Sequence, residues 1–354
     1  MTFGELLLRL DAPEHSRLFQ KSSLNCTFCG AEANVAASLS MFGTPSTFVT
    51  KLPNNDVGKS AKRSLDYFCI DTSKIVFGDG RMGLYYHEKG ASQRPSKIIY
   101  DRKHSAFADS NPKDFDWNLI LKGATWLHLT GINPALSENV CKECFEACSE
   151  AKRGNITISC DLNYRKNLWS SKTAQKTMTK LMQYADVCIA NEEDAELALG
   201  IGKTESDASL GKIDCSKYES IAKEISNRFG CKYVGFTLRE SRSADVNEWG
   251  GALYSSNTDR TTFSKKYEIN LVDRIGGGDS FAAGLIYSLM EGKSPNDAIE
   301  FATAASCLKQ TMEGDFNLST KEEVQSLVHG SGTGRVQRRT QKQINPDYIL
   351  PCLK

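Results

Sequence analysis

The stretch Asp273-Arg274-Ile275-Gly276-Gly277-Gly278-Asp279-Ser280-Phe281, followed by the helical pattern of Ala282–Met290, organises the reading of this chain. A glycine triplet that opens a helix lets consecutive backbone N–H groups point at one spot, and the helix dipole adds positive potential there. Together they make an anion hole suited to a phosphate, or to the negative charge that builds up during phosphoryl transfer. Asp279 stands at the helix start, where a carboxylate can accept a proton from a hydroxyl. The same residues also fit an ordinary loop with Asp279 as a plain helix N-cap.

Outward from this segment, short apolar runs alternate with longer amphipathic stretches, the pattern of a βαβ series and a mostly parallel sheet. Thr47–Lys51, Trp126–Thr130, Thr157–Asp161, Val187–Ala190 and Tyr233–Thr237 read as buried strands. Ala33–Met41, Ser137–Lys152, Ala174–Gln183, Tyr218–Phe229 and Asp279–Met290 have helical periodicity. Several strands end in polar residues, at Thr130, Asp161, Asn191 and Thr237-Leu238-Arg239. Ligands of open α/β sheets bind beyond the carboxyl ends of strands, so one edge should gather these residues. Glu5–Gln20 and Arg81–Tyr100 break the rhythm with alternating strand patterns, which predicts a small β flap over that edge. His329–Arg339 is rich in Gly, Ser, Thr and Arg and reads as flexible. Residues 1–330 form the expected globular unit, with a flexible tail over 331–354.

Composition narrows the function classes. The 354 residues carry a net charge of +1, so an anionic ligand must be held by local cations rather than a global field. Neither nucleic acid nor an anionic membrane is expected as a partner. No apolar run reaches the roughly 18 residues of a membrane span. Met1–Leu10 reads as a strand containing Glu5, without the basic and long apolar regions of a signal peptide, which points to the cytosol. Twelve cysteines include Cys26-x-x-Cys29 and the set Cys141, Cys144 and Cys148. The second set has i, i+3, i+7 spacing, one face of a helix, and no closing pair follows nearby. Packed thiols, not a zinc site, are expected.

The Asp273–Phe281 segment resembles the second signature of the ribokinase-like (PfkB) carbohydrate kinases, Asp-Thr-x-Gly-Ala-Gly-Asp-x-Phe. It keeps Asp273, Gly276, Gly278, Asp279 and Phe281, with Arg274 for threonine and Gly277 for alanine. Both changes are typical of the ketodeoxygluconate kinase branch. Gly30-Ala31-Glu32-Ala33-Asn34 resembles the family's glycine and asparagine near the start, although Cys29 stands where a glycine is usual. Asn191-Glu192-Glu193-Asp194 is similar to the family's Asn-x-x-Glu motif, with a side chain one methylene shorter.

The resemblance implies a ribokinase-like α/β fold with a β lid, and transfer of the γ-phosphoryl group of ATP to a primary hydroxyl of 2-keto-3-deoxygluconate. In that picture Asp279 is the base and Gly276, Gly277 and Gly278 form the anion hole. Gly30, Asn34, Tyr85, Tyr100, Arg102 and Arg165 surround the sugar. Asn163, Asn191, Thr237 and Arg239 face ATP, Asp194 acts on Mg²⁺ through water, and an apolar helix over Ala302–Leu308 lies beside the adenine or simply packs. A monovalent-cation requirement and the roles of Asp315 and Asn317 stay open, and the family habit is to dimerise through the lid. Two other readings are a related kinase for a neutral sugar or nucleoside, and a non-catalytic sugar-binding protein on the same fold.

Overall fold

The computed structural model describes residues 1–202 and 214–330, so the tail expected over 331–354 lies outside the described residues. Six strands run parallel in the order Phe48–Val49, Thr2–Phe3, Trp126–Thr130, Thr157–Asp161, Val187–Ala190 and Tyr233–Ser241. Val246–Ser255 adds on antiparallel and carries both Arg260–Phe263 and Tyr267–Asn270. This antiparallel extension has no counterpart in the sequence reading. Its glycines and charged residues hide the strand pattern, and Gly251 is there for packing. A Cβ at that position would come within 2.8 Å of both Ile299 and Phe281.

Side chains alternate across the strands and feed two cores. Leu127, Leu129, Ile158, Cys160, Cys188, Val234 and Phe236 face one, with the helices Glu138–Arg153, Ser171–Leu181 and Cys215–Phe229. Trp126, Val187 and Ile189 face the other, with Ala31–Met41, Gly277–Met290, Pro295–Lys309 and Lys321–Val328. Ser137, Ser170 and Asp214 cap the first three of these helices through their side-chain oxygens. The expected strand over Thr47–Lys51 divides into Phe48–Val49 and Lys51–Pro53, and the latter pairs with Val76–Gly78 in a separate ribbon. Among the described residues no helix is long and apolar enough to cross a membrane.

Cys144 and Cys148 are buried in the first core together with Cys160, Cys188 and Cys231. Burial pushes the Cys148 thiol up to about 12, so it packs as an apolar group. Cys26 and Cys29, an odd number of residues apart on one strand, point to opposite sides, one exposed and one buried.

A second sheet of four strands has the order Asn25–Cys29, Leu7–Asp11, Gly83–Glu88, Lys97–Asp101. The first flap segment therefore differs from the expected Glu5–Gln20. Only Leu7–Asp11 of it is strand, and its partner Asn25–Cys29 lies further along. Lys97–Asp101 forms an edge exposed at every position. The small sheet is tied to the main body by Arg9, which is 2% exposed. Its guanidinium pairs with Asp11 at 2.6 Å, with Asp273 at 2.6 Å, and with Asp315. Burial alone would lower its pKa, but the charges of Asp315 and Asp273 outweigh that and raise it.

Arg9→Met should lower unfolding free energy by about 3–5 kcal/mol in urea titrations, because it strands buried carboxylates. A loss below about 1 kcal/mol, the scale of an exposed pair, would contradict this role.

Candidate active site

A cavity of about 460 Å³ lies where the carboxyl ends of the parallel strands meet the small sheet. The register explains the convergence: Asp161 pairs with Thr130 on one side and Ile189 on the other, and Ala190 pairs with Phe236. The strand ends therefore deliver Asp161, Asn191, Thr237 and Arg239 to one rim. Tyr85, Tyr100 and Arg102 reach the cavity from the small sheet and the residue just after it. Asn163, Arg165 and Asp194 line it from the loops beyond the strands.

Two helix starts form the floor. Gly276 is the N-cap of Gly277–Met290, with φ of 81° and no side-chain capping bond, so Asp279 is not a helix cap. A Cβ at Gly276 would sit 2.1 Å from the carbonyl oxygen of Asp315. Both the left-handed backbone and the close approach require glycine there. Asp279 falls in the first turn, and the Nδ2 of Asn34 donates to its Oδ2 at 2.6 Å. Asn34 comes from Ala31–Met41, and the Gly30 N–H contacts its Oδ1 at 3.4 Å. Gly30 is extended, and its need for glycine is space: a Cβ would lie 2.1 Å from the Glu5 carbonyl.

The alignment of the chain with a family model decides the identity. Residues 1–213 and 250–321 match the pfkB family carbohydrate kinase model. The chain belongs to this family. It is a sugar kinase, a phosphotransferase with an alcohol group as acceptor. The chain is 30% identical to 2-dehydro-3-deoxygalactonokinase of Haloferax volcanii over 94% of its length and 98% of that protein. It is 27% identical to 2-dehydro-3-deoxygluconokinase of Bacillus subtilis, covering 94% and 96% of the two chains. The crystal structure of 2-dehydro-3-deoxygluconokinase from Thermotoga maritima superposes with a TM-score of 0.89, at 46% identity, over 93% of this chain and 97% of that one. The fold is thus the ribokinase-like fold of the PfkB kinases.

Within this PfkB frame the expected residues divide by what they touch. Gly276 and Gly278 line the cavity, but Gly277 turns inward. Its N–H leans on the Arg274 carbonyl at 3.4 Å, and its own carbonyl accepts from the Ser306 hydroxyl at 2.6 Å. Arg102 is committed to the protein: its Nε donates to Glu5 at 2.8 Å, and the guanidinium lies 5.4 Å from the Tyr100 ring centre. Arg165 is exposed, and among the described residues its guanidinium donates to the carbonyl of its neighbour Tyr164, at 3.2 Å. Asn191 caps the turn that holds Asp194, accepting from the Asp194 N–H at 2.8 Å, and Asp194 accepts from the Tyr164 N–H at 3.0 Å. Asn163 sits at φ of 39° and donates its N–H to Asp161 at 3.2 Å. Ala302, Ala304 and Ala305 are fully buried against the glycine-triplet helix and pack without lining the cavity.

Two residues were missed by sequence reasoning. Glu32 is buried at the cavity, and its Oε1 accepts from the Thr130 N–H at 3.1 Å, the Thr130 hydroxyl at 2.7 Å and Asn133 at 2.9 Å. Burial pushes its carboxyl up to about 7. The available signal was an acid inside the alanine-rich run Ala31–Leu39, two residues before Asn34. Arg274, read only as a threonine replacement, is half-buried at the cavity. Burial and the nearby charge of Arg239 hold its pKa down. Neither Arg239 nor Arg274 has an ion-pair partner among the described residues, and both line the cavity.

Burial pushes Asp279 up to about 6, while the Asn34 bond works in the opposite direction. The base expected at Asp279 has to be ionised to act, so with that role kcat/KM should rise with pH through a midpoint near 6. Asn34→Ala should move that limb up by about one unit, the worth of a hydrogen bond to a charged group. A pH–rate profile with an acid limb near 4, or one that Asn34→Ala leaves in place, would contradict the assignment.

Proposed function

We propose that this PfkB kinase phosphorylates the primary hydroxyl of 2-keto-3-deoxygluconate with ATP, giving the 6-phosphate. The observation that carries the reading is the Asn34-held carboxylate of Asp279 beside the glycine-opened helix start, in a cavity where three guanidinium groups lack ion-pair partners among the described residues. Asp279 removes the hydroxyl proton as the phosphoryl group arrives. The N–H groups of Gly276, Gly278 and the first turn receive the charge that develops on that group. Gly277 contributes by shaping the turn, not by contact.

Arg165, Arg239 and Arg274 supply local positive charge that a nearly neutral chain cannot provide globally. We assign Arg165 to the sugar carboxylate and Arg239 with Arg274 to the ATP phosphates. Arg102 supports the Tyr100 ring and is charge-balanced by Glu5, so it shapes the sugar pocket more than it reads charge. Asp194 and Asp161 present hard oxygen donors at the rim, a set that suits Mg²⁺ retaining waters and nucleotide oxygens. Bound there, Mg²⁺ neutralises charge on the phosphates. Named relatives act on gluco- and galacto-configured acids, so both epimers belong in any assay.

Coupled ADP release over a panel of sugars should show the ketodeoxy acids as preferred substrates. Arg165→Ala should then lower kcat/KM for the acid roughly 10- to 150-fold, from bonds worth about 1.5–3 kcal/mol. A neutral sugar should lose much less. Equal losses for acidic and neutral sugars would transfer support to a fructokinase-like kinase.

A further inference from the structure

The Pro295–Lys309 helix ends on a lysine with none of its surface exposed. A lysine ammonium is seldom buried completely, because desolvation is costly unless the surroundings return the energy. The Lys309 Nζ donates to the carbonyl oxygen of Asp273 at 3.1 Å. One residue on, the Gln310 carbonyl accepts from the Val272 N–H at 2.9 Å and the Asp273 N–H at 3.2 Å. One end of one helix thus holds the entrance of the glycine loop by both polarities, its N–H groups with a carbonyl and its carbonyl with a cation.

The electrostatics give that cation a second task. The anion hole at Gly276 and Gly278 is backed by the carboxylates of Asp273 and Asp315, with Asp11 close behind, and Arg9 is paired to all three. Besides burial, the charge of Asp315 reaches Asp279, beside these glycines, and raises its carboxyl pKa. One guanidinium against three carboxylates leaves an excess that a second fixed cation offsets. Burial pulls the Lys309 pKa below the usual lysine value, and Asp273 and Asp315 work to retain its proton. The same charge helps to keep Asp279 ionised.

We propose that Lys309 is a built-in cation that positions the glycine loop and offsets the carboxylates behind it, so that phosphoryl transfer needs no bound monovalent cation. The Asp273 carbonyl is an oxygen donor of the kind a potassium-like ion takes, and here the Lys309 ammonium already stands at it. Lys309 does not touch the reacting atoms, so it is a positioning residue. This inference rests on the kinase reading above.

The experiment follows ADP release by the full chain with Mg²⁺, ATP and the sugar acid, at ionic strength held constant with tetramethylammonium chloride. Replacing that salt with potassium chloride should leave wild-type turnover within about twofold, since the site is already filled. Lys309→Met keeps the length without the charge, and should lower kcat about 100-fold, the scale of one lost electrostatic donor, with little change in KM for ATP. Potassium or ammonium ions should then restore the variant saturably, by about tenfold or more, and tetramethylammonium should not. Saturable potassium activation of the wild type would overturn the proposal, even if Lys309→Met does not fold. So would a folded variant at wild-type turnover, or a slow one that no small cation rescues, which marks a purely structural lysine. Wild-type protein without turnover on any sugar would overturn the kinase reading itself, and this inference with it.

Discussion

Arg9 starts on a strand of the small sheet, yet two of the three carboxylates it binds, Asp273 and Asp315, belong to loops of the main body. Asp273 leads into the glycine loop, and the Asp315 carbonyl presses on Gly276. Asp315 also accepts from the Tyr85 hydroxyl at 2.9 Å, and Tyr85 lines the cavity. One buried guanidinium thereby couples the small sheet on one side of the cavity to the glycine loop at its floor. Removing either partner alone leaves charge in a dry interior, which is why such a network holds geometry tightly even where its net stabilisation is modest.

The site distributes its charges by role. Two carboxylates at the cavity, Asp279 and Glu32, are desolvated and pushed upward, so that ionising them is costly. Cations with structural duties, Arg9, Arg102 and Lys309, are buried against fixed oxygens. Arg165, Arg239 and Arg274 face the cavity without such partners among the described residues. Fixed oxygens hold Arg9, Arg102 and Lys309 in place, whereas Arg165, Arg239 and Arg274 line the cavity.

Much of this was legible in the chain because local chemistry decides it. The glycine triplet, the apolar strands and their polar ends are short-range signals, and the parallel sheet and the glycine-opened helix follow from them. What stayed hidden depends on partners far along the chain. The Arg102–Glu5 pair spans 97 residues, and it turns a residue expected beside the sugar into one whose charge is already balanced. Gly277 looked equivalent to its neighbours until Ser306 and Gln310 turned it inward. Asn25–Cys29 is exposed over its first three residues, so no buried face announces it as a strand, and the Val246–Asn270 extension is masked by Gly250 and by Gly251, which helix packing requires. Lys309 appears in sequence as an unremarkable helix end, and only the buried loop beneath it gives it meaning.

The central claim is that Asp279 is a base and not a scaffold residue, and Asp279→Asn tests it most directly. Its folded pKa, raised to about 6, means that the carboxyl group stabilises the fold at acid pH and loses that stabilisation as pH rises through 6. At pH above that window the asparagine variant should match or exceed the parent in Tm and bind ATP normally. Its ADP formation should fall by a factor of about 100 or more, the scale of a lost general base. A folded, ATP-binding variant that turns over at close to the parent rate would contradict the account.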